Sequence, residues 1–108
     1  MDNDVRRQQF LKSMEPAIAE ANRGAIHAKM PILDRETFHR FAVSVARARA
    51  HYLEESIKFA GRVQGGELSN AEVQRLGDLR RNYEEVLKAY EALSHALERG
   101  YVKVEEIT

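Results

Sequence analysis

Hydrophobic residues recur at helical spacing along most of the chain, and two short breaks divide this pattern into three predicted helices. The first break contains Pro31, which ends a helix and disfavours helical geometry in the residue before it. The second contains Gly65 and Gly66, whose conformational freedom opposes helix formation. The prediction is helices over residues 3–29, 35–61 and 70–99, with a further break near Pro16 and an extended tail over 101–108.

Signals at the helix ends support these limits. Asp34 can cap the second helix, Ser69 and Glu72 have the spacing of a capping box, and Gly100 supplies a C-terminal stop. At 1.5 Å per residue each helix is roughly 40–45 Å long, whereas a compact globule of this length is only about 26 Å across. We therefore expect an all-α fold, an elongated antiparallel bundle of three long helices that forms one domain over residues 1–100.

The second helix differs from the third in having two apolar stripes. The third has one heptad seam of the coiled-coil type, formed by Leu76, Leu79, Tyr83, Val86, Tyr90, Leu93 and Leu97. The first stripe of the second helix contains Phe38, Phe41, Val45, Ala48, Tyr52 and Phe59. Its second stripe contains Val43, Ala46, Ala50, Leu53, Ile57 and Ala60. The two stripes together cover roughly 220° of the helix, more than an edge helix of a simple bundle needs.

A second copy of the chain is expected to cover this second stripe, because most soluble oligomers are symmetric homodimers. In the alternative, the first and third helices cover both stripes within a monomer. A protein partner in place of a second copy is also compatible with the pattern.

Composition removes several classes of protein. Apolar residues make up 44% of the chain, which is enough for a packed core. The absence of cysteine excludes disulfides, thiolate zinc sites and cysteine nucleophiles. No apolar run reaches the roughly 18 residues of a membrane span, and the first residues contain no apolar signal segment. We expect a cytoplasmic protein without membrane contact.

One short motif suggests a metal. Glu36 and His39 have the Glu-x-x-His spacing of carboxylate-bridged di-iron bundles, and a homodimer would supply two copies of it. A pattern of this kind also arises by chance in helices. We expect no cofactor, with Glu36 and His39 as the alternative metal site.

Charge is balanced in total, with 17 basic and 17 acidic residues, but it is unevenly distributed. A basic ridge on the second helix consists of Arg40, Arg47, His51, Lys58 and Arg62. Such a ridge could contact a phosphate backbone or an acidic partner. Glu54 and Glu55 flank it and no aromatic residue interleaves, so a solvated face is the first expectation and nucleic-acid binding is not expected.

Arg49 falls between the two apolar stripes, where a guanidinium needs a partner or a path to water. If neighbouring helices are antiparallel, Glu15 and Tyr83 lie near its height. We expect a structural polar contact among these three residues.

The sequence contains no phosphate-binding glycine motif and no recognisable pairing of a nucleophile with a base. The function predicted is a non-catalytic helical interaction or regulatory module that acts through protein–protein contacts. The first alternative is a helical enzyme that binds a metal or small ligand through Glu36 and His39. The second is a nucleic-acid-associated protein that uses the basic ridge.

Overall fold

Three α-helices form the framework of the chain in a computed structural model that describes residues 2–62 and 66–106. They are α1 (Asn3–Lys29), α2 (Arg35–Arg62) and α3 (Asn70–Glu98). The all-α prediction with three helices is therefore confirmed. None of these helices, over the part of the chain that is described, combines the length and hydropathy that a membrane span requires.

The residues divide into two compact units. The first contains the chain up to Asp34 together with the residues from His95 onward, and the second contains Arg35 to Ser94. The second unit is thus a pair of helices, α2 with most of α3. The single bundle domain over residues 1–100 stays a prediction.

Aromatic side chains hold α2 against α3. The ring of Tyr90 lies 5.4 Å from that of Phe38 and 5.9 Å from that of Phe41, measured between centroids. Further along α2, the rings of Tyr52 and Tyr83 stack at 6.3 Å. Because the start of α2 meets the end of α3 and its middle meets an earlier residue of α3, the two helices are antiparallel. Val45, Phe59 and Leu79 are buried in this unit.

A capping box begins α3, as predicted. The backbone N–H of Ser69 donates to Glu72 Oε1 at 3.0 Å, and the backbone N–H of Glu72 donates to Ser69 Oγ at 3.1 Å. Each side chain thus satisfies a backbone donor that the first turn of a helix leaves without an intrahelical acceptor. The predicted break at Gly65 falls outside the described residues, and Gly66 follows it in a bend.

The first helix differs from its prediction at Pro16. A break was expected there, but α1 is one continuous helix from Asn3 to Lys29 with Pro16 inside it. A proline ring removes one backbone hydrogen bond and crowds the preceding turn, a cost that a helix of 27 residues tolerates locally. No residue of α1 is buried. A bundle that includes α1 therefore stays a prediction.

The C-terminal tail pairs with the connection between α1 and α2. The backbone N–H of Leu33 donates to Lys103 O at 2.8 Å, and that of Glu105 donates to Leu33 O at 3.0 Å. These two bonds make a parallel bridge between Leu33 and Val104. Leu33 and Val102 are both buried. The extended tail is thus tied to the first unit by backbone hydrogen bonds and apolar burial.

Gly100 ends α3 in the way its position predicts. Its φ is +74°, a left-handed conformation in which a side chain would be strained. Its N–H donates to Leu97 O at 3.0 Å and the N–H of Tyr101 donates to Ala96 O at 2.9 Å. This is the Schellman arrangement, which turns the chain out of the helix toward the tail.

Substitution by alanine should change the free energy of unfolding in opposite directions at two glycine positions. Gly100→Ala should lower the free energy of unfolding by about 1 kcal/mol, because alanine is strained in the left-handed region. Gly24→Ala should raise it by about 0.5–1 kcal/mol, because Gly24 lies inside α1 with nothing within 4 Å of an added Cβ. Urea denaturation of both variants measures the two values. A loss of stability in Gly24→Ala would contradict the open surroundings of this position.

Candidate functional site

One face of α2 presents an apolar surface that nothing in the described part of the chain buries. We call it the α2 seam, and it consists of Val43, Ala46, Ala50, Leu53, Ile57 and Ala60. Ile57 is 72% exposed and Leu53 is 52% exposed. The three alanines are exposed as well, and Val43 is half-buried. Exposed apolar residues that share one helix face mark an interaction surface.

The seam remains open because the other stripe of α2 faces α3. Phe38, Phe41 and Tyr52 all contact aromatic rings of α3, and Val45 and Phe59 are buried. A helix packs against a given neighbour with one face. Residues on a different face therefore cannot take part in that contact. The two-stripe pattern in the sequence thus becomes one buried and one exposed stripe.

Arg49 lies at the edge between the stripes and interacts with Tyr83 of α3. Its Nε donates a hydrogen bond to the Tyr83 hydroxyl at 3.0 Å. Its guanidinium carbon lies 5.4 Å from the centre of the same ring, within the range of a cation–π contact. The predicted partnership of Arg49 with Tyr83 is present in the structure. Glu15 belongs to the other unit, where it lines a groove with His95, Arg99 and Tyr101, and its part in the contact stays a prediction.

The basic ridge of α2 borders a groove of about 650 Å³ that also reaches α3. His39, Arg40, Arg47 and His51 line it from α2, and Asn82 and Val86 line it from α3. Among the described residues, no carboxylate lines this groove. The sequence did not suggest Asn82, because a single exposed asparagine in a helix carries no pattern.

Most charges of the ridge have acidic partners on the same helix. Arg40 pairs with Glu36, Lys58 with Glu54 at 3.1 Å, and His51 lies 4.0 Å from Glu55. Arg47 is the member of the ridge, within the described residues, that forms no ion pair. The side chain of Arg62 lies outside the described residues.

The two residues of the predicted metal site, Glu36 and His39, make different contacts in the structure, and their binding of a metal stays a prediction. The carboxylate of Glu36 contacts the Arg40 guanidinium, and His39 lines the groove beside the ridge. Across residues 2–62 and 66–106, no cluster of three or more histidine, aspartate or glutamate side chains is placed to hold a metal ion. A mononuclear site at Glu36 and His39 would need at least one further ligand, which no described histidine, aspartate or glutamate is placed to supply.

Comparison of the chain with protein-family models, curated proteins and solved structures finds no match. Two surfaces of the second unit come into question, the α2 seam and the basic groove next to it. The seam consists of apolar side chains alone, whereas charged and polar side chains also line the groove. The hydrophobic effect therefore favours covering the seam.

A double-mutant cycle should detect the contact between Arg49 and Tyr83. Tyr83→Phe removes the acceptor hydroxyl but keeps the ring, and Arg49→Met removes the guanidinium but keeps an apolar stem. We expect a coupling free energy of roughly 0.5–1 kcal/mol between the two substitutions in urea denaturation, in the range of a single exposed polar contact.

Tyr90→Phe is the matched control for this cycle. Tyr90 also packs its ring between α2 and α3, but its hydroxyl makes no hydrogen bond to a described residue. Its coupling to Arg49→Met should be near zero. Equal coupling for Tyr83 and Tyr90 would show that the Arg49 hydrogen bond has no energetic effect.

Proposed function

We propose that this protein is a non-catalytic helical interaction or regulatory module that acts through protein–protein contacts at the α2 seam. The observation that carries this proposal is the exposure of Leu53 and Ile57 on the same helix face. The three alanines of the seam, two before this pair and one after it, let a partner helix approach closely. The face thus has both the apolar area and the shape that a helix–helix contact requires.

Burial of Leu53 and Ile57 by a partner would contribute substantially to the free energy of association. Full burial of a leucine or isoleucine side chain is worth about 1.5–3 kcal/mol. Leu53 and Ile57 keep 52% and 72% of their surface exposed, so a partner can still gain most of that amount at Ile57 and about half at Leu53. In a symmetric pair each contribution occurs twice.

The partner we propose is a second copy of the chain. A two-fold dimer is the commonest oligomer of soluble proteins, and it buries the same patch of both subunits at once. One seam would then cover the other, without any further partner being needed. The rest of the surface would remain available for regulatory contacts.

The serine hydroxyls support a non-catalytic role. Ser13, Ser44 and Ser56 each donate to a backbone carbonyl of the preceding turn, at 2.6, 2.7 and 2.8 Å respectively. A nucleophilic serine instead donates its proton to a neighbouring base. These hydroxyls behave as ordinary helix side chains.

Substitution of the seam by arginine tests the proposal. Ala50→Arg and Ile57→Arg should each abolish self-association, because a charged side chain would have to be buried in an apolar contact. Helicity should be retained, since both positions are exposed in the single chain. Sedimentation velocity measures the oligomeric state and circular dichroism measures the helicity.

Ala92→Arg is the matched control, since Ala92 is an exposed alanine in the C-terminal part of α3. It should leave the oligomeric state unchanged. A wild-type chain that stays monomeric would contradict the second-copy partner. Binding of a different protein that Ile57→Arg abolishes would keep the interaction module with another partner.

A further inference from the structure

We infer that two copies of the chain pair their α2 seams antiparallel, in one register, and that Arg47 of each copy forms an ion pair with Glu54 of the other. This inference rests on the proposed function, because it specifies how the seam meets its partner. It is carried by the order of large and small residues along the seam and by the charges at its edge.

The seam is complementary to itself when it is reversed. About a point midway between His51 and Tyr52, Val43 lies opposite Ala60, Ala46 opposite Ile57, and Ala50 opposite Leu53. Every pair joins one alanine to one larger side chain. The seam follows a heptad spacing of alternating three and four residues, the spacing at which side chains of paired helices interlock.

A parallel pairing would not fill the same space. It would place Ile57 against Ile57 and Leu53 against Leu53 but leave Ala46, Ala50 and Ala60 against alanines. The layers of paired large side chains would then hold the helices apart, and the layers of paired alanines would leave gaps. The atoms that line a gap lose their van der Waals contacts. Antiparallel pairing gives layers of nearly equal volume, so the two backbones can keep an even distance.

The edge of the seam that carries Arg47 and Glu54 meets itself in this arrangement. In an antiparallel pair the two-fold axis stands perpendicular to the plane of the two helices, so each edge of a seam faces the same edge of the other copy. In the register above, Arg47 and the Glu54 of the other copy are offset by two residues, or about 3 Å along the axis. Their long side chains can span that distance.

Both groups are available for this pair. Arg47 forms no ion pair within the described residues. Glu54 accepts from Lys58 of its own chain through Oε1, and its side chain is still 62% exposed. A carboxylate has two oxygens and can accept from both cations. Arg49 lies at the opposite edge of the seam, where it contacts Tyr83, so it does not compete with Arg47 for Glu54.

Cysteine cross-linking tests the orientation and register, because the chain has no cysteine of its own. Ala46→Cys and Ile57→Cys chains are mixed under reducing conditions and then oxidised. The register places position 46 of one copy against position 57 of the other, whereas two copies of either position are separated by 11 residues, or roughly 16 Å. A disulfide needs Cα atoms within about 7 Å, so mass spectrometry should find the mixed disulfide and almost none of the two symmetric ones.

A mixture of the Ala92→Cys and Ala46→Cys chains is the control, because any disulfide between these two positions forms by random collision. A symmetric disulfide at position 46 would show a parallel pairing and overturn the inference. A mixed 46–57 disulfide no more abundant than the Ala92 control would also overturn it. If the wild type still associates and Ile57→Arg still prevents association in that case, the proposed function survives without the register. If the wild type is a monomer, both second-copy association and register fail.

Charge reversal tests the ion pair. Arg47→Glu should raise the dimer dissociation constant about tenfold, because two attractions per dimer become two repulsions, each equivalent to a surface pair. Glu54→Arg should have a similar effect. The double variant should return to within about threefold of the wild type, since it restores the pair with exchanged signs.

Arg75→Glu is the control, since Arg75 is an exposed arginine of α3 that, in the described part of the chain, has no ion pair. It should leave the dissociation constant unchanged. If the increases in dissociation constant of the two single variants simply multiply in the double variant, Glu54 is not the partner of Arg47 and the assignment is overturned.

Discussion

Aromatic packing between α2 and α3 is the interaction that decides what the rest of this surface can do. Tyr90 packs between Phe38 and Phe41, and Tyr83 stacks on Tyr52. These contacts fix the rotation of α2 about its own axis, because bulky rings can meet their partners in one orientation only. Once that rotation is set, the position of every other side chain on α2 follows. The seam with Leu53 and Ile57 is then the face that remains exposed.

The rotation of α2 about its axis also decides which polar contacts its arginines make. Arg49 lies at the border of the buried stripe, where its guanidinium reaches the hydroxyl and ring of Tyr83. Arg47 lies on the other side of the seam, and Glu54 follows it two turns later. A single helix thereby separates a structural arginine, which is engaged within the chain, from an arginine that is available to a partner. The two residues are two positions apart in sequence. They serve different surfaces because each helix position turns the side chain by about 100°, so two positions turn it by about 200°.

The ends of the chain illustrate a different source of order. The first unit contains no buried residue in α1, and its burial is concentrated at Leu33 and Val102. Two backbone hydrogen bonds across Leu33 join the tail to the connection before α2. The left-handed Gly100 directs the tail there, since a residue with a side chain would enter that turn only with strain. A few backbone interactions thus replace the side-chain packing that holds α2 to α3.

Local signals determined much of this protein from sequence alone. The three helices, the capping box at Ser69 and the stop at Gly100 depend on hydrophobic period, hydrogen-bonding side chains and backbone freedom within a few residues, and the sequence displays these directly. It also displayed two apolar stripes on α2. Tertiary structure decided which stripe α3 covers. It also decided that Asn82 of α3 joins His39 at the groove. Helical period fixes the angle between side chains of one helix, but only packing fixes which angle faces a neighbour. The continuous helix through Pro16 has a local origin instead, because the cost of one lost hydrogen bond is set against all the other hydrogen bonds of the same helix.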